Sequence, residues 1–494
     1  MMAIGYYAYQ KSTSNISEYM LGGRRLHPAV GALSAGASDM SGWMLMGLPG
    51  AVYLSGVSEA WIAVGLTIGA YLNYRFVAPR LRVYTELAKD SITLPDFFEN
   101  RFEDASHALR FISALVIIVF FTLYTSAGIV AGGKLFEASF GMDYQLGLFV
   151  TAGVVLAYTV IGGFLAVSLT DFVQGCIMFI ALVLVPIVAF GGVGGLEGME
   201  SHIADAGART TGMVDYFSWT KGTSLMGVIS LLAWGLGYFG QPHIIVRFMA
   251  IRSLKDIAIS RYIGMSWMIV TVTGAVIVGM VGLAYVQKSG LQATFSDPET
   301  IFILLSQTLF HPLISGFLLA AILAAIMSTI SSQLLVSSSS LTEDIYKTFF
   351  KRHAAQSELV LVGRIATVLV CGVAIALAFD RSSSILSLVG NAWAGFGAAF
   401  GPIILLSLYW RNFTRNGALA GMIAGALTVL FWLFAPIKID GQALSSIVYE
   451  IIPGFVISTI VAVGVSLVSQ RVNEMDGEFE AMEKEMKTLP KYFL

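Results

Sequence analysis

Long apolar stretches separated by short polar ones run along almost the whole 494-residue chain. About 20 apolar residues suffice for a helix to cross a bilayer. By that measure twelve full spans are predicted, at 28–52, 57–77, 110–137, 145–166, 168–193, 223–249, 262–286, 312–338, 359–379, 384–410, 417–435 and 447–469. A shorter apolar stretch at 1–9 precedes them, without the basic start and cleavage site of a signal peptide. It reads as the remnant of a first helix, so the full spans are numbered 2 to 13.

Two spans carry interruptions. Span 2 contains Ser34-Ala35-Gly36-Ala37-Ser38-Asp39-Met40-Ser41-Gly42-Trp43, and Asp39 is the only charged residue between Leu26 and Leu54. A carboxylate at the bilayer centre costs about 2.5–3.5 kcal/mol on insertion scales, so it marks a place where negative charge is needed or is bonded to a neighbouring helix. Span 7 contains Trp234-Gly235-Leu236-Gly237-Tyr238-Phe239-Gly240-Gln241-Pro242-His243, whose glycines and proline weaken the backbone ladder in mid-membrane. These two spans open two runs of five, 2 to 6 and 7 to 11. An odd number per run inverts one half relative to the other, and interruptions at matching positions point to a transporter's binding site.

Composition agrees with a membrane protein: 56% of residues are hydrophobic and 12% charged. A net charge of −2 with no basic tract argues against nucleic acid as a partner and leaves the lipid bilayer as the surrounding phase. Cys176 and Cys371 lie in apolar runs without metal-ligand spacing and read as buried thiols. Arg24 and Arg25, then Arg75, Arg80, Arg82, Lys89, Arg101 and Arg110, then Arg247, Arg252, Lys255 and Arg261, recur at alternate ends of the spans. Lys347, Lys351, Arg352, Arg364, Arg411 and Arg415 continue the series. Read as a topology signal, they place the N-terminus outside and the C-terminus in the cytoplasm. The expected organisation is 1–27 as helix remnant and linker, 28–194 as the first five-helix repeat, 195–222 as an outer loop, 223–411 as the inverted second repeat, 412–470 as two further helices and 471–494 as a solvated cytoplasmic tail.

An unwound helix frees carbonyls at one half-helix end and amides at the start of the next, so a cation suits the first and a carboxylate the second. In span 2, Ala37 and Met40 can offer backbone oxygens to a cation near Asp39, while the amides around Ser41, Gly42 and Trp43 can face an anionic group. In span 9, Ala325, Ser328 and Thr329 share one helical face. Taken alone, membrane serines and threonines often bond back to their own helix, a reading that also covers Ser331, Ser332 and Ser337 to Ser340. An oxygen-only set suits sodium, and a proton on Asp39 offers a similar cycle.

The stretches at 34–56, 234–250 with GYFGQPH, 324–331, and 391–422 with AGFGAAFGP and TRNGALAGM resemble the bacterial sodium/proline symporters of the solute:sodium symporter family over nearly the whole chain. The resemblance implies an all-α polytopic protein of thirteen helices, with LeuT-like inverted five-helix repeats and extra flanking helices. It implies sodium-coupled uptake of L-proline by alternating access, in a bacterial cytoplasmic membrane. It also makes Ala37, Met40, Ala325, Ser328 and Thr329 the sodium ligands, with Asp39 and Asp171 as ion-coupling carboxylates. Asp171 otherwise reads as a helix cap at the membrane surface. Proline is a flat ring with a carboxylate and a secondary ammonium, which calls for aromatic walls and a few polar contacts. Trp43, Tyr124, Trp234 and Tyr238 match those positions, beside Ser41 and Gly42.

An enzyme would need a clustered nucleophile, base or metal set, and the histidines are scattered at 27, 107, 202, 243, 311 and 353. The rival readings that remain are a proton- or sodium-coupled carrier of another small zwitterion and a transporter-like sensor.

Overall fold

A computed structural model describes residues 21–209, 215–470 and 476–488. The stretch at 1–9 therefore lies outside the described residues, as does part of the tail. The order of helices follows the apolar pattern. Span 2 consists of α1 (Pro28–Asp39), a π turn at Trp43–Gly47 and α2 (Leu48–Ser55). Span 3 comprises α3 (Ala60–Leu72), a π turn at Asn73–Val77 and α4 (Ala78–Leu87). Then come a short α5 (Leu94–Phe102), α6 (Ala108–Phe140), α7 (Tyr144–Val193) and α8 (Gly195–Arg209). Span 7 is α9 (Leu225–Leu232), a 3-10 stretch at Ala233–Gly240 and α10 (Pro242–Ala250). It is followed by α11 (Leu254–Lys288), α12 (Ile301–Leu309) and α13 (Pro312–Ser339), which runs on as a π helix over Ser340–Phe350. The chain then forms α14 (Gln356–Leu377), α15 (Ile385–Tyr409), α16 (Arg415–Phe434), α17 (Leu444–Ile447), α18 (Ile451–Val468) and α19 (Asp476–Thr488).

Among the described residues, nine helices are long and apolar enough to cross a membrane, and Tyr144–Ala157 and Leu225–Gly240 are shorter apolar helices. Of the three spans by which this falls short of twelve, one is lost to continuity, because Trp43–Leu87 joins the second half of span 2 to span 3, and two to length, because spans 5 and 7 form only the shorter apolar helices. Spans 5 and 6 follow one another within α7 as two helical halves that break at Gly163, whose φ of 60° suits a residue without Cβ.

Both interruptions are real, and each has a local cause. Pro242 starts α10, where its missing N–H costs nothing, and it holds Gln241 before it in extended backbone at φ −81°, ψ 107°. Gly235 lies so close to span 3 that a Cβ would strike the Gly65 carbonyl, and a Cβ on Gly69 would strike that of Gly235. In span 2, Met40 leaves the helix at φ −84°, ψ 80°. The entries to the two broken spans are tied together: the Leu26 N–H donates to the Ala250 carbonyl at 3.1 Å, and that of Arg252 to the Leu26 carbonyl at 3.3 Å.

Several expectations change. Arg75, Arg80, Arg82, Arg101 and Arg110 stand on helical segments instead of in a loop, because the helices extend beyond their apolar runs. Arg24 does more than mark topology. Its guanidinium bonds Asp90 at 2.8 Å, Thr85 at 3.2 Å and the carbonyls of Met249 and Ser91 at 2.9 and 2.7 Å. The tail is not simply solvated, since α19 buries Phe479, Met482 and Met486, and Phe479 packs edge-on against Tyr84. The segment expected as a loop at 195–222 contains α8, and the connection between α11 and α13 contains α12. Ahead of α12, Glu299 takes the Lys134 ammonium at 2.7 Å and accepts from the Ile385 N–H at 2.9 Å, at the start of α15.

Candidate functional site

Four of the expected cation ligands meet. The carbonyl of Ala37 on α1 accepts from Ser328 Oγ at 2.7 Å and Thr329 Oγ1 at 3.4 Å on α13. The same hydroxyls donate to the Ala325 carbonyl at 3.0 and 3.2 Å. All four residues are buried. Oxygens from two helices thus converge where α1 ends, and the negative end of the helix dipole adds to the field. Met40 sits one turn further on, its N–H donating to the Gly36 carbonyl at 2.9 Å and its sulfur 3.9 Å from Thr271 Oγ1.

Asp39 is buried at the break. One of its carboxylate oxygens accepts from Tyr238 OH and the other has no protein partner. Its carbonyl accepts from Trp43 Nε1 at 3.0 Å and Tyr124 OH at 3.2 Å. Three of the four expected aromatic residues therefore bond to one residue of the broken span. Trp43 and Trp234 lie 6.4 Å apart between ring centres, which brings in the fourth. The amides beside them are partly engaged: that of Ser41 donates to the Asp39 carbonyl at 3.0 Å, and that of Trp43 to Ser41 Oγ at 3.4 Å. A Cβ on Gly42 would lie 2.8 Å from that of Ala131, so the break is held tightly against α6.

Asp171 is not a surface cap. It is fully buried, with one oxygen 2.8 Å from Ser34 Oγ, 3.2 Å from the Arg247 guanidinium and 3.4 Å from Ser332 Oγ. Arg247, counted as a topology charge in the sequence reading, is fully buried too. It also bonds Ser34 at 3.1 Å, Ser332 at 2.6 Å and the His243 carbonyl at 2.5 Å. A buried pair of this kind needs such hydrogen bonds to offset the cost of removing both charges from water. The signal for Arg247 was present, because a charge inside His-Ile-Ile-Val-Arg-Phe-Met-Ala has no apolar reason to be there.

Two more aromatic residues complete the wall. Trp393 stands edge-on to Tyr238 at 5.1 Å and donates to the Trp234 carbonyl at 2.7 Å, while Tyr449 stacks on Trp234 at 5.4 Å. Trp393 lies in the glycine-rich stretch of span 11, where its mid-span position was a readable signal. Tyr449, in the connection before α18, gave none. An open cavity of about 480 Å³ reaches inward to Trp234 and Tyr449 and is also bordered by Glu59 and Glu450. Burial pushes the Glu450 carboxyl up to about 7.

An apolar bundle in which two interrupted spans meet around buried hydroxyls, carboxylates and stacked rings is the architecture of a secondary transporter. The chain belongs to the sodium:solute symporter family, whose pattern matches residues 19–425. It is 58% identical to the osmoregulated proline transporter OpuE of Bacillus subtilis, over 99% of this chain and 96% of that protein. It is 55% identical to a sodium/proline symporter of Staphylococcus aureus, over 95% of this chain and 91% of the relative. Among solved structures it resembles a Na+-coupled sialic acid symporter, with a TM-score of 0.76 at 20% identity, over 95% of this chain and 96% of the other. A nucleobase-cation-symport-1 family transporter gives 0.54 at 11% identity, over 96% and 99%. At those identities the structural likeness speaks for the fold alone. That fold is all-α, with LeuT-like inverted five-helix repeats and added flanking helices.

Proposed function

We propose that the protein couples inward movement of sodium to uptake of L-proline by alternating access, in a bacterial cytoplasmic membrane, with its N-terminus outside and its C-terminus in the cytoplasm. The observation that carries this reading is the convergence of the Ala37 and Ala325 carbonyls with the hydroxyls of Ser328 and Thr329, between the first helix of one repeat and the third of the other. Two carbonyls and two hydroxyls form a hard, neutral set suited to a dehydrated monovalent cation. Met40, whose residue leaves the helix, supplies a fifth oxygen. The high identity to proline transporters of two genera supports the choice of solute.

In this reading Trp43, Tyr124, Trp234 and Tyr238 form the box for the proline ring. Asp39 serves the solute's ammonium or the ion through its unpartnered oxygen, and Ser41 and Gly42 stand at the helix start that faces the carboxylate. Asp171, paired with Arg247 and bonded to Ser332 one turn beyond Ser328, is a further ion-coupling carboxylate on the path away from the site. The break in span 2 is shared by ion and solute, so ordering it for one lowers the cost of ordering it for the other.

Labelled proline uptake into proteoliposomes tests the proposal. Accumulation under an inward sodium gradient, and its loss when the gradient is removed, is the expected result. Equal accumulation driven by a pH gradient without sodium would replace sodium with a proton. No accumulation under any gradient, with binding intact, would make the protein a sensor.

A further inference from the structure

The bundle has a second large cavity, of about 410 Å³, at the end opposite the one that reaches Trp234. Helix α6 connects the two ends. Arg110 in its first turn borders this cavity, while Lys134 near its far end bonds the Glu299 that caps α15 beside the other. Five carboxylates line the cavity: Asp90, Asp96, Glu99, Glu343 and Asp344. Facing them are Arg110, Lys347, Arg352 and His107, so carboxyl groups outnumber basic ones.

Most of this charge is paired. Arg110 engages Asp96, Glu99 at 2.9 Å and one oxygen of Asp344 at 3.3 Å. Lys347 holds one oxygen of Glu343 at 2.7 Å, His107 lies 2.8 Å from Glu99, and Asp90 belongs to Arg24. Two atoms are left over. Asp344 Oδ2 and Glu343 Oε1 are buried and have no protein partner, on residues that are 0% and 5% exposed. Both belong to the π-helical continuation of α13, the kind of irregular turn that recurs at functional sites.

The same helix links these atoms to the converging hydroxyls. Beyond Ser328 and Thr329 comes Ser332, which touches Asp171 and Arg247, then Ser339 and Ser340. The latter two line a cavity of about 20 Å³ whose wall includes Val246, next to Arg247, and shares Ile92 and Thr93 with the larger one. A small, mainly apolar cavity with Thr93, Ser339 and Ser340 as its polar lining thus lies between the centre of the bundle and Asp344.

We infer that Asp344 Oδ2 and Glu343 Oε1 form a second, transient site for the transported monovalent cation, on its way out of the bundle. This rests on the proposal that sodium is first held by Ala37, Ala325, Ser328 and Thr329. Two carboxylate oxygens give hard ligands on residues that border the open cavity. Arg110 on the far oxygen of Asp344 weakens the field, which suits an ion that must leave.

Sodium inside proteoliposomes should inhibit proline uptake by occupying this site from within. Glu343→Gln and Asp344→Asn should each raise the internal sodium chloride concentration for half-inhibition by about tenfold, while external half-saturation shifts by less than about twofold. Should Asp344→Asn fail to insert because Arg110 loses a partner, Glu343→Gln decides alone, since its Lys347 partner is 37% exposed. An unchanged internal constant, or both constants moving together, overturns the inference while leaving external sodium dependence, and so the transport reading, intact. A wild-type protein indifferent to sodium on both sides overturns both.

Discussion

Replacing Ser328 by Ala removes the hydroxyl with the shorter contacts, 2.7 Å to the Ala37 carbonyl and 3.0 Å to that of Ala325. Thr329→Val removes the longer ones, 3.4 and 3.2 Å, and keeps nearly the same volume. Two effects compete. As neutral hydrogen bonds these contacts contribute about 0.5–1.5 kcal/mol each to stability, whereas an oxygen serving a cation is worth about 1.5–3 kcal/mol. If the hydroxyls serve only the fold, both variants lose stability and keep their sodium dependence. If they are ligands, sodium affinity falls roughly 10- to 150-fold per group. The shorter distances rank Ser328→Ala above Thr329→Val. The assay is the sodium concentration for half-maximal proline uptake, measured beside the thermal midpoint of each purified variant. A folded, inserted double variant with wild-type sodium dependence would refute the ligand assignment. The reverse ranking would refute the use of these distances as a guide to it.

Trp234→Ala should weaken proline binding roughly threefold to tenfold while sodium binding measured without proline is unaltered; equal losses in both would mean that the ring holds the fold. Arg247→Met leaves Asp171 as an uncompensated buried charge, at a cost of about 3–5 kcal/mol, so little protein should insert. Adding Asp171→Asn should restore insertion without restoring transport, and restored transport would exclude Asp171 from the ion's route. Glu450, with its carboxyl raised to about 7, is neutral below that pH and charged above it. External sodium half-saturation should therefore improve from pH 6 to 8, and Glu450→Gln should lessen the change, the remainder belonging to Glu59 on the same cavity. An unchanged pH profile in that variant would assign the titration elsewhere.

The fold was legible because a membrane chain must satisfy its backbone within helices, which makes apolar length a direct measure of a span. Asp39 and the Gly235 to Pro242 stretch marked the two interruptions, and the structure has both. Span ends were less legible, since α4 and the π-helical continuation of α13 carry the helix into polar residues that cost little to keep helical in the headgroup region or beyond. Asp171 and Arg247 show the deeper limit. Asp171 by itself reads as a surface cap and Arg247 as a charge misplaced in an apolar run, and only the meeting of the two side chains shows that they compensate each other inside the bundle. Tyr449 was missed for a related reason, since aromatic residues are common in membrane helices and only its stacking on Trp234 separates it from ordinary packing, whereas Trp393 could have been read from its mid-span position.

Coupling is the central claim, and its most direct test is a pair of equilibrium titrations: proline binding at several fixed sodium concentrations and sodium binding at several fixed proline concentrations. If both ligands order the break between Ala37 and Trp43, each tightens the other by the same factor, roughly 5- to 150-fold for coupling energies of about 1–3 kcal/mol. Proline affinity independent of sodium would contradict the account.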